Sequence, residues 1–479
     1  MDFTRSLEFW ARSAPERIAV ATFSKELSFL DLALRAQTFA QQLQDLPFRR
    51  IGICTTDPIN MAVGFYAAIL AEKSLVVLDP SWPEELITKM SGQLGVNAVI
   101  SETELTDRLT SIQQLLLAPP KPLDELQRVH STRLPNREML VICTSGSSGL
   151  PKAVVRTQES WQQSVSIGSD ILGALPASTT ICPGPISHGL GLYALVESIA
   201  NGGTLIAGGY FNSRIVQSLM ERHACTRLVS VPTIIDRMLR LLPRQVLASL
   251  TTVVSGGEPL DQRIVNQLFK LPAFEDCIEY YGSSEHSLIA FRHRNVDEVV
   301  DREFIGNIFP SVKIHIHDPR PVSGLGEIFV DSPFNASGYD SSSGEGIRRC
   351  KTSISAGDLG RITAEGTLEL KGRGGEMMNL NGNNIHPSEI LEVFTKCGIS
   401  EVRVGVESRN GEPILVAYTC SASIPTTDLI LHLNKALPRY KIPRELVFLS
   451  SWPTTNSGKT AFTALSKYEH HVMKRVELR

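Results

Sequence analysis

Residues Val141–Thr157 read VICTSGSSGLPKAVVRT: an apolar run ending at Thr144, a cluster of small and hydroxylated residues, then Lys152 and a second β-branched run. A continuous apolar run of this length suits a strand buried on both faces. The cluster after it has two readings. It is a surface turn, or it is an anion cradle in which glycines let successive backbone N–H groups converge. In a cradle, the hydroxyls of Thr144, Ser145, Ser147 and Ser148 would add donors or a magnesium ligand, Gly146 and Gly149 would supply the bends, and Lys152 would add charge.

Runs of the same texture recur on both sides: RIGICTT at 50–56, SLVVLDP at 74–80, RLVSVPT at 227–233 and TTVVSGG at 251–257. Between them lie amphipathic stretches such as FLDLALRAQTFAQQLQDL at 29–46 and SRIVQSLMERHA at 213–224. Strands alternating with helices predict an α/β arrangement, a large amino-terminal domain of several subdomains with largely parallel sheets. Ligands of such sheets gather at the carboxyl ends of the strands, where TSGSSG, SVPT and SGGEP all fall. From about residue 300 the texture changes. GEIFV at 326–330 and TLELKGR at 367–373 read as short exposed strands. After GRGGE comes a smaller α+β unit: helix PSEILEVFTKCG, strands VRVGV and ILVAYT, helix TTDLILHLNKAL and strand RELVFLS. The adjacent glycines within 373–376 permit large backbone changes and mark an expected hinge, between a domain 1–372 and a domain 377–479.

Bulk composition narrows the function. Of 479 residues, 42% are apolar and 20% charged, ordinary for a globular protein. Lys+Arg is 47 against Asp+Glu 50, which gives a net charge of −3 and argues against a nucleic-acid or anionic-membrane binder. The eight cysteines include no Cys-x-x-Cys spacing, so zinc and redox motifs are missing. The amino terminus lacks the apolar core of a signal peptide, and no stretch is long enough to span a membrane. The expected home is the cytoplasm. PTTNSGKT at 453–460 looks like the end of a Walker A loop, but Pro453 stands where that loop needs its first glycine.

Several separated motifs then spell one family. TSGSSGLPK at 144–152 is followed by YYGSSE at 280–285, AGDLGRI at 356–362, KGRGGE at 371–376 with NGNNIHPSEI at 381–390, and PTTNSGK at 453–459. Weaker echoes are LDPSWPEE at 78–85, SVPT at 230–233 and LPRYKIPRE at 437–445. In this order and spacing the chain resembles the acyl-adenylate-forming enzymes: acyl- and aryl-CoA synthetases, peptide-synthetase adenylation domains and beetle luciferases. The resemblance implies a large amino-terminal domain with a small mobile carboxyl-terminal lid. It also implies ATP, magnesium and a carboxylic acid reacting to an acyl-adenylate and pyrophosphate. A thiol then displaces AMP, either that of coenzyme A or that of a phosphopantetheinyl carrier protein. A non-catalytic nucleotide-binding relative is the alternative outside the ligases.

Residue roles follow from the same resemblance. Lys459 would be the catalytic cation between carboxylate and α-phosphate. Glu285 would ligate magnesium together with Thr144, while the 144–149 segment and Lys152 hold phosphates. Tyr281 would stack on adenine, with Gly282, Ser283 and Ser284 in the same nucleotide motif. Asp358 would accept from the ribose hydroxyls, and Arg373 would contact the ribose or a phosphate. Gly256, Gly257 and Glu258 would line the adenine and acyl pocket. Gly382 would leave room for a thiol tunnel. His188, in PGPISHGLG, falls at the gate between acyl and thiol pockets. The next position, an aspartate in amino-acid-activating members, is Gly189, which favours a fatty or aryl acid because an unpaired ammonium in a pocket is costly. The chain departs from the pattern at Ala153, Gln158, Ala356, Gly375 and Phe462.

Overall fold

All five apolar runs form strands: Arg50–Cys54, Ser74–Val77, Glu138–Thr144, Arg227–Ser230 and Thr252–Gly256. Their side chains are buried almost without alternation, as strands covered on both faces require. The computed structural model describes residues 2–478 except 83, 103–111, 118, 120–135, 145–150, 177, 297–303, 321–322, 341–345, 374–377, 381–382, 386, 400, 410–411, 422–425, 438–440 and 454–470. The chain divides into two compact units. The first comprises Met1–His315, Phe329–Ala356 and Thr363–Leu368; the second comprises Ile316–Ile328, Gly357–Ile362 and Glu369–Arg479.

The first unit holds two sheets. One runs Gly338–Tyr339, Lys152–Thr157, Glu138–Thr144, Ser74–Val77, Arg50–Cys54, Ala98–Ser101, Gln113–Leu115, parallel from Glu138–Thr144 onward and antiparallel at the Lys152–Thr157 side. The other includes the consecutive series Ser287–Arg294, Asp276–Ser283, Thr252–Gly256, Arg227–Ser230, Thr179–Cys182, Thr204–Ala207 and Ile18–Ala21. It is parallel except for the hairpin of Asp276–Ser283 with Ser287–Arg294. The expected α/β class with mostly parallel sheets is therefore present, and the sequence also encodes a division into two sheets that periodicity alone does not reveal.

Local chemistry starts the helices where expected. Helix Phe29–Gln44 opens on Ser28, whose hydroxyl accepts from the Asp31 N–H and donates back to the Asp31 carboxylate. Helix Gly189–Ala200 is apolar nearly all round and buried accordingly. Its one buried acid, Glu197, pairs with the equally buried Arg227 at 2.8 Å and so ties the helix to strand Arg227–Ser230. Burial pushes the Glu197 carboxyl above its ordinary value, partly offset by Arg227. Losing one partner of such a pair leaves an uncompensated charge.

In the second unit, strands Val402–Arg409, Glu412–Thr419, Glu445–Leu449 and Val472–Glu477 form a mixed sheet. Helices Pro387–Lys396 and Thr426–Ala436 contribute Ile390, Phe394, Leu429 and Leu433 to its core. The last strand, VMKRVE, escaped the sequence reading because charge interrupts its apolar pattern. The strand Gly326–Asp331 corrects another expectation: Ile328 and Val330 are 2% and 0% exposed, so GEIFV is a buried strand rather than a surface one. The expected hinge at 373–376 lies largely outside the described residues, with Arg373 closing strand Leu368–Arg373. None of the eight cysteines forms a disulfide. Among the described residues, no helix is long and apolar enough to cross a membrane.

Candidate active site

The strands that flank the small-residue segment, Glu138–Thr144 and Lys152–Thr157, pair antiparallel as a hairpin stem. Thr144 pairs in register with Lys152, and its hydroxyl donates to the Lys152 carbonyl at 3.4 Å. Ser145, Gly146, Ser147, Ser148 and Gly149 lie outside the described residues. The stem nonetheless fixes where the chain leaves and re-enters the sheet, with Lys152 at the mouth. The Lys152 ammonium lies over the Tyr339 ring, 5.2 Å from its centroid, a cation–π contact. Tyr339 comes from the neighbouring strand, and its hydroxyl donates to Glu285 Oε1 at 2.8 Å. One phenol thus joins the loop lysine to the carboxylate of YYGSSE. Arg50 anchors this edge through a bidentate pair with Glu138 (2.7 and 2.8 Å) and a 2.7 Å contact with Asp340. Those bonds, Glu138 first, outweigh burial and raise its pKa. Cys143, beside Thr144, stays a thiol: burial, then Asp340 and Asp79, push it up to about 12.

Glu285 sits on a tight turn between the two hairpin strands. The register shifts between Tyr281 and Gly282, a bulge at the end of Asp276–Ser283. At Gly282 an added Cβ would stand 1.9 Å from the Ser287 carbonyl oxygen, so only glycine fits. Ser287 closes the turn at φ 60°, in the left-handed region. Inside it, the Ser283 hydroxyl lies 2.9 Å from His286 Nδ1, and His286 Nε2 lies 3.2 Å from the Ile354 carbonyl. A carbonyl only accepts, so Nε2 carries a proton and donates to it, which leaves Nδ1 facing the Ser283 hydroxyl. The Glu285 backbone is held as well, its carbonyl accepting from Ala336 N–H at 2.7 Å. The residue is 5% exposed. Tyr281 and Ser284 on the same turn are half-buried.

His188 caps helix Gly189–Ala200 without making a capping bond. Its ring turns instead to Asp79, donating from Nε2 to Oδ2 at 2.9 Å. Asp79 follows strand Ser74–Val77, so the LDPSWPEE echo and the candidate gate meet at one hydrogen bond. Burial would raise the Asp79 carboxyl, but bonds from His188 and Ser81 outweigh it and hold it below its ordinary value. A depressed native value stabilises the fold above the unfolded aspartate range, near 3.9, and that gain is lost as pH falls through the native value. Asp79→Asn is therefore expected to lower the melting temperature at pH 7, with the difference from the parent chain shrinking to nothing in strong acid. A difference independent of pH would refute the ionic contact. Next to His188, a Cβ on Gly189 would stand 3.2 Å from the Ser284 hydroxyl, so this position faces the YYGSSE turn.

SGGEP ends strand Thr252–Gly256. A Cβ on Gly256 would overlap the Tyr280 ring at 2.5 Å, and Gly257 takes φ 85°, which explains both glycines. Glu258 accepts from the Thr233 hydroxyl at 3.1 Å, joining this loop to SVPT. Glu279 and Arg294 hold the far end, at the N–H and carbonyl of Leu260 (2.9 and 2.8 Å). Asp358 begins strand Asp358–Ile362 in the second unit and is 8% exposed. Gly382 and Lys459 lie outside the described residues, and so does the side chain of Arg373.

The first unit thus brings together Thr144, Lys152, Glu285 and the YYGSS turn, with His188 and Gly189 alongside the latter. The sequence reading missed Tyr339, Asp79 as partner of His188, and Arg156, described below. Tyr339 and Arg156 carry no motif of their own and become visible only through strand pairing. The donor set fits magnesium. Among the described residues no cluster of three or more acidic, histidine or cysteine side chains exists to cage a metal. A buried carboxylate near a hydroxyl-rich loop is what magnesium asks for when phosphate and water supply its remaining ligands.

Comparison with known proteins bears on the family and the fold. VraA of Staphylococcus haemolyticus, named as a candidate long chain fatty acid-CoA ligase, is 26% identical over 474 residues, 96% of each chain. Among solved structures, ATP-bound MatB from Rhodopseudomonas palustris matches with a TM-score of 0.82 at 20% identity, covering 98% of this chain and 99% of that one. MenE, the O-succinylbenzoate coenzyme A synthetase of Bacillus subtilis, in complex with ATP and a magnesium ion, matches at 0.76 and 21%, covering 96% and 99%. These two likenesses establish a shared fold. The profile of the family described as AMP-binding enzyme matches residues 7–340, and the chain belongs to the AMP-binding enzyme family.

Proposed function

We propose that the protein activates a fatty or aryl carboxylic acid with ATP, forming an acyl-adenylate and pyrophosphate, and passes the acyl group to the thiol of coenzyme A. The observation that carries this reading is the Lys152–Tyr339–Glu285 bridge. It sets a cation for phosphate beside a carboxylate for magnesium, at the mouth of a hairpin rich in small and hydroxyl residues. When bound, magnesium would neutralise phosphate charge, and Glu285 and Thr144 would hold it on the protein side. Thr144–Gly149 and Lys152 bind the triphosphate, Tyr281 stacks on adenine, and Asp358 and Arg373 hold the ribose side. Gly256, Gly257 and Glu258 line the nucleotide and acyl pocket. His188, braced by Asp79, separates acyl from thiol space, and Gly382 leaves the thiol its path. Residues 377–479 act as a lid pivoting at 373–376 and delivering Lys459.

Gly189 supports a substrate without an α-ammonium, since no aspartate stands there to neutralise one. The relative named as a fatty acid-CoA ligase supports coenzyme A as acceptor, and a phosphopantetheinyl carrier protein is the competing acceptor. ATP–pyrophosphate exchange across aliphatic, aromatic and amino acids tests the first step, with exchange expected for acids of the first two classes. Adding coenzyme A or a carrier protein to the responding acid then identifies the acceptor. Absence of exchange with every acid would remove the enzymatic reading.

A further inference from the structure

Arg156 lies on strand Lys152–Thr157, fully buried, four residues beyond the loop lysine. Its guanidinium reaches two segments of chain, the 284–287 turn and Phe334. Nη1 donates to the carbonyls of Ser284 and Glu285, both at 3.1 Å. Nη2 donates to the Ser287 hydroxyl at 2.5 Å and to the Phe334 carbonyl. All four acceptors are neutral, so these bonds do not form a salt bridge. They grip the turn that presents Glu285, and the Phe334 contact ties that turn to the segment carrying Ala336 and Tyr339, which hold the Glu285 carbonyl and carboxylate.

That turn is a constrained piece of backbone. It contains the Gly282 bulge and Ser287 in the left-handed region. Strain of this kind persists only where surrounding bonds over-determine the conformation. A planar fork with five fixed donors can hold several carbonyls in one arrangement; an ammonium on a flexible stem cannot. We propose that Arg156 is a positioning residue that sets the Glu285 carboxylate for a divalent cation on the nucleotide phosphates, acting through the 284–287 backbone and touching neither ion nor substrate. The proposal rests on the function proposed above, in that it takes metal–nucleotide to bind at Glu285.

The test uses Mn2+ as the metal probe and the full-length chain. Mn2+ affinity of the ATP-saturated protein is measured by electron paramagnetic resonance, alongside ATP binding in excess chelator and thermal melting. Arg156→Met should lose about 10- to 100-fold in Mn2+ affinity, the scale for removing a group that orients a metal ligand. ATP binding in chelator should be unchanged, and Arg156→Lys should recover only part of the loss. A folded Arg156→Met with parental Mn2+ affinity, or a loss equal with and without metal, overturns the proposal and leaves Arg156 as a prop of the fold. Should Arg156→Met fail to fold, Arg156→Lys decides by the same split. The parent protein is measured first: if it binds no Mn2+–ATP, the failure belongs to the proposed function, and the Arg156 role falls with it.

Discussion

Lys459→Ala is expected to slow ATP–pyrophosphate exchange by about 100- to 1000-fold, the effect of losing one donor aimed at developing charge. Thioester formation from supplied acyl-adenylate should stay near the parental rate. The reason is electrostatic. A carboxylate approaching the α-phosphate brings two anions together, and at about 4 Å and an effective dielectric near 20 each unit pair repels by roughly 4 kcal/mol. A cation placed between them removes that barrier, and once the adenylate has formed there is nothing left for it to neutralise. Lys459 lies outside the described residues; the PTTNSGK ending is what singles it out. Equal losses in both half-reactions would refute the role.

Gly282→Ala is expected to be nearly as severe, for a steric reason. The new Cβ would stand 1.9 Å from the Ser287 carbonyl oxygen, a backbone atom unable to swing aside as a side-chain tip could. The turn must open, carrying Glu285 from its bond with Tyr339. A displacement of about 1 Å at a reacting centre costs on the order of 100-fold in rate, so exchange should fall at least that far. The melting temperature should fall too, since overpacking of this kind costs about 1–3 kcal/mol. A Gly282→Ala protein with parental exchange would mean that the turn does not position the metal ligand.

Much of this was legible in the sequence because the motifs are local. TSGSSGLPK lies between two β-branched runs, and YYGSSE follows one, so backbone and function are written in the same short stretch. Gly256, Gly257 and Gly282 stand out in the sequence as candidate site residues, while the reasons each must be glycine (a tyrosine ring, a positive φ, a carbonyl oxygen) lie in the fold. What stayed hidden depends on pairing between distant segments. Tyr339 touches Glu285 across 54 positions and His188 reaches Asp79 across 109. Arg156 looked like an ordinary residue in a strand, because nothing in VVRT shows that four acceptors from 284–334 converge on it. The strand Val472–Glu477 escaped for a simpler reason, its lysine and arginine breaking the apolar rhythm.

The phenol shared by Lys152 and Glu285 also makes the pocket its own optical gauge. A tyrosine whose face meets an ammonium and whose hydroxyl leans on a carboxylate absorbs differently once either neighbour is drawn off by an incoming polyanion. Loading with nucleotide would then register in the ultraviolet without label or turnover, and Tyr339→Phe would remove this tyrosine's share of the signal.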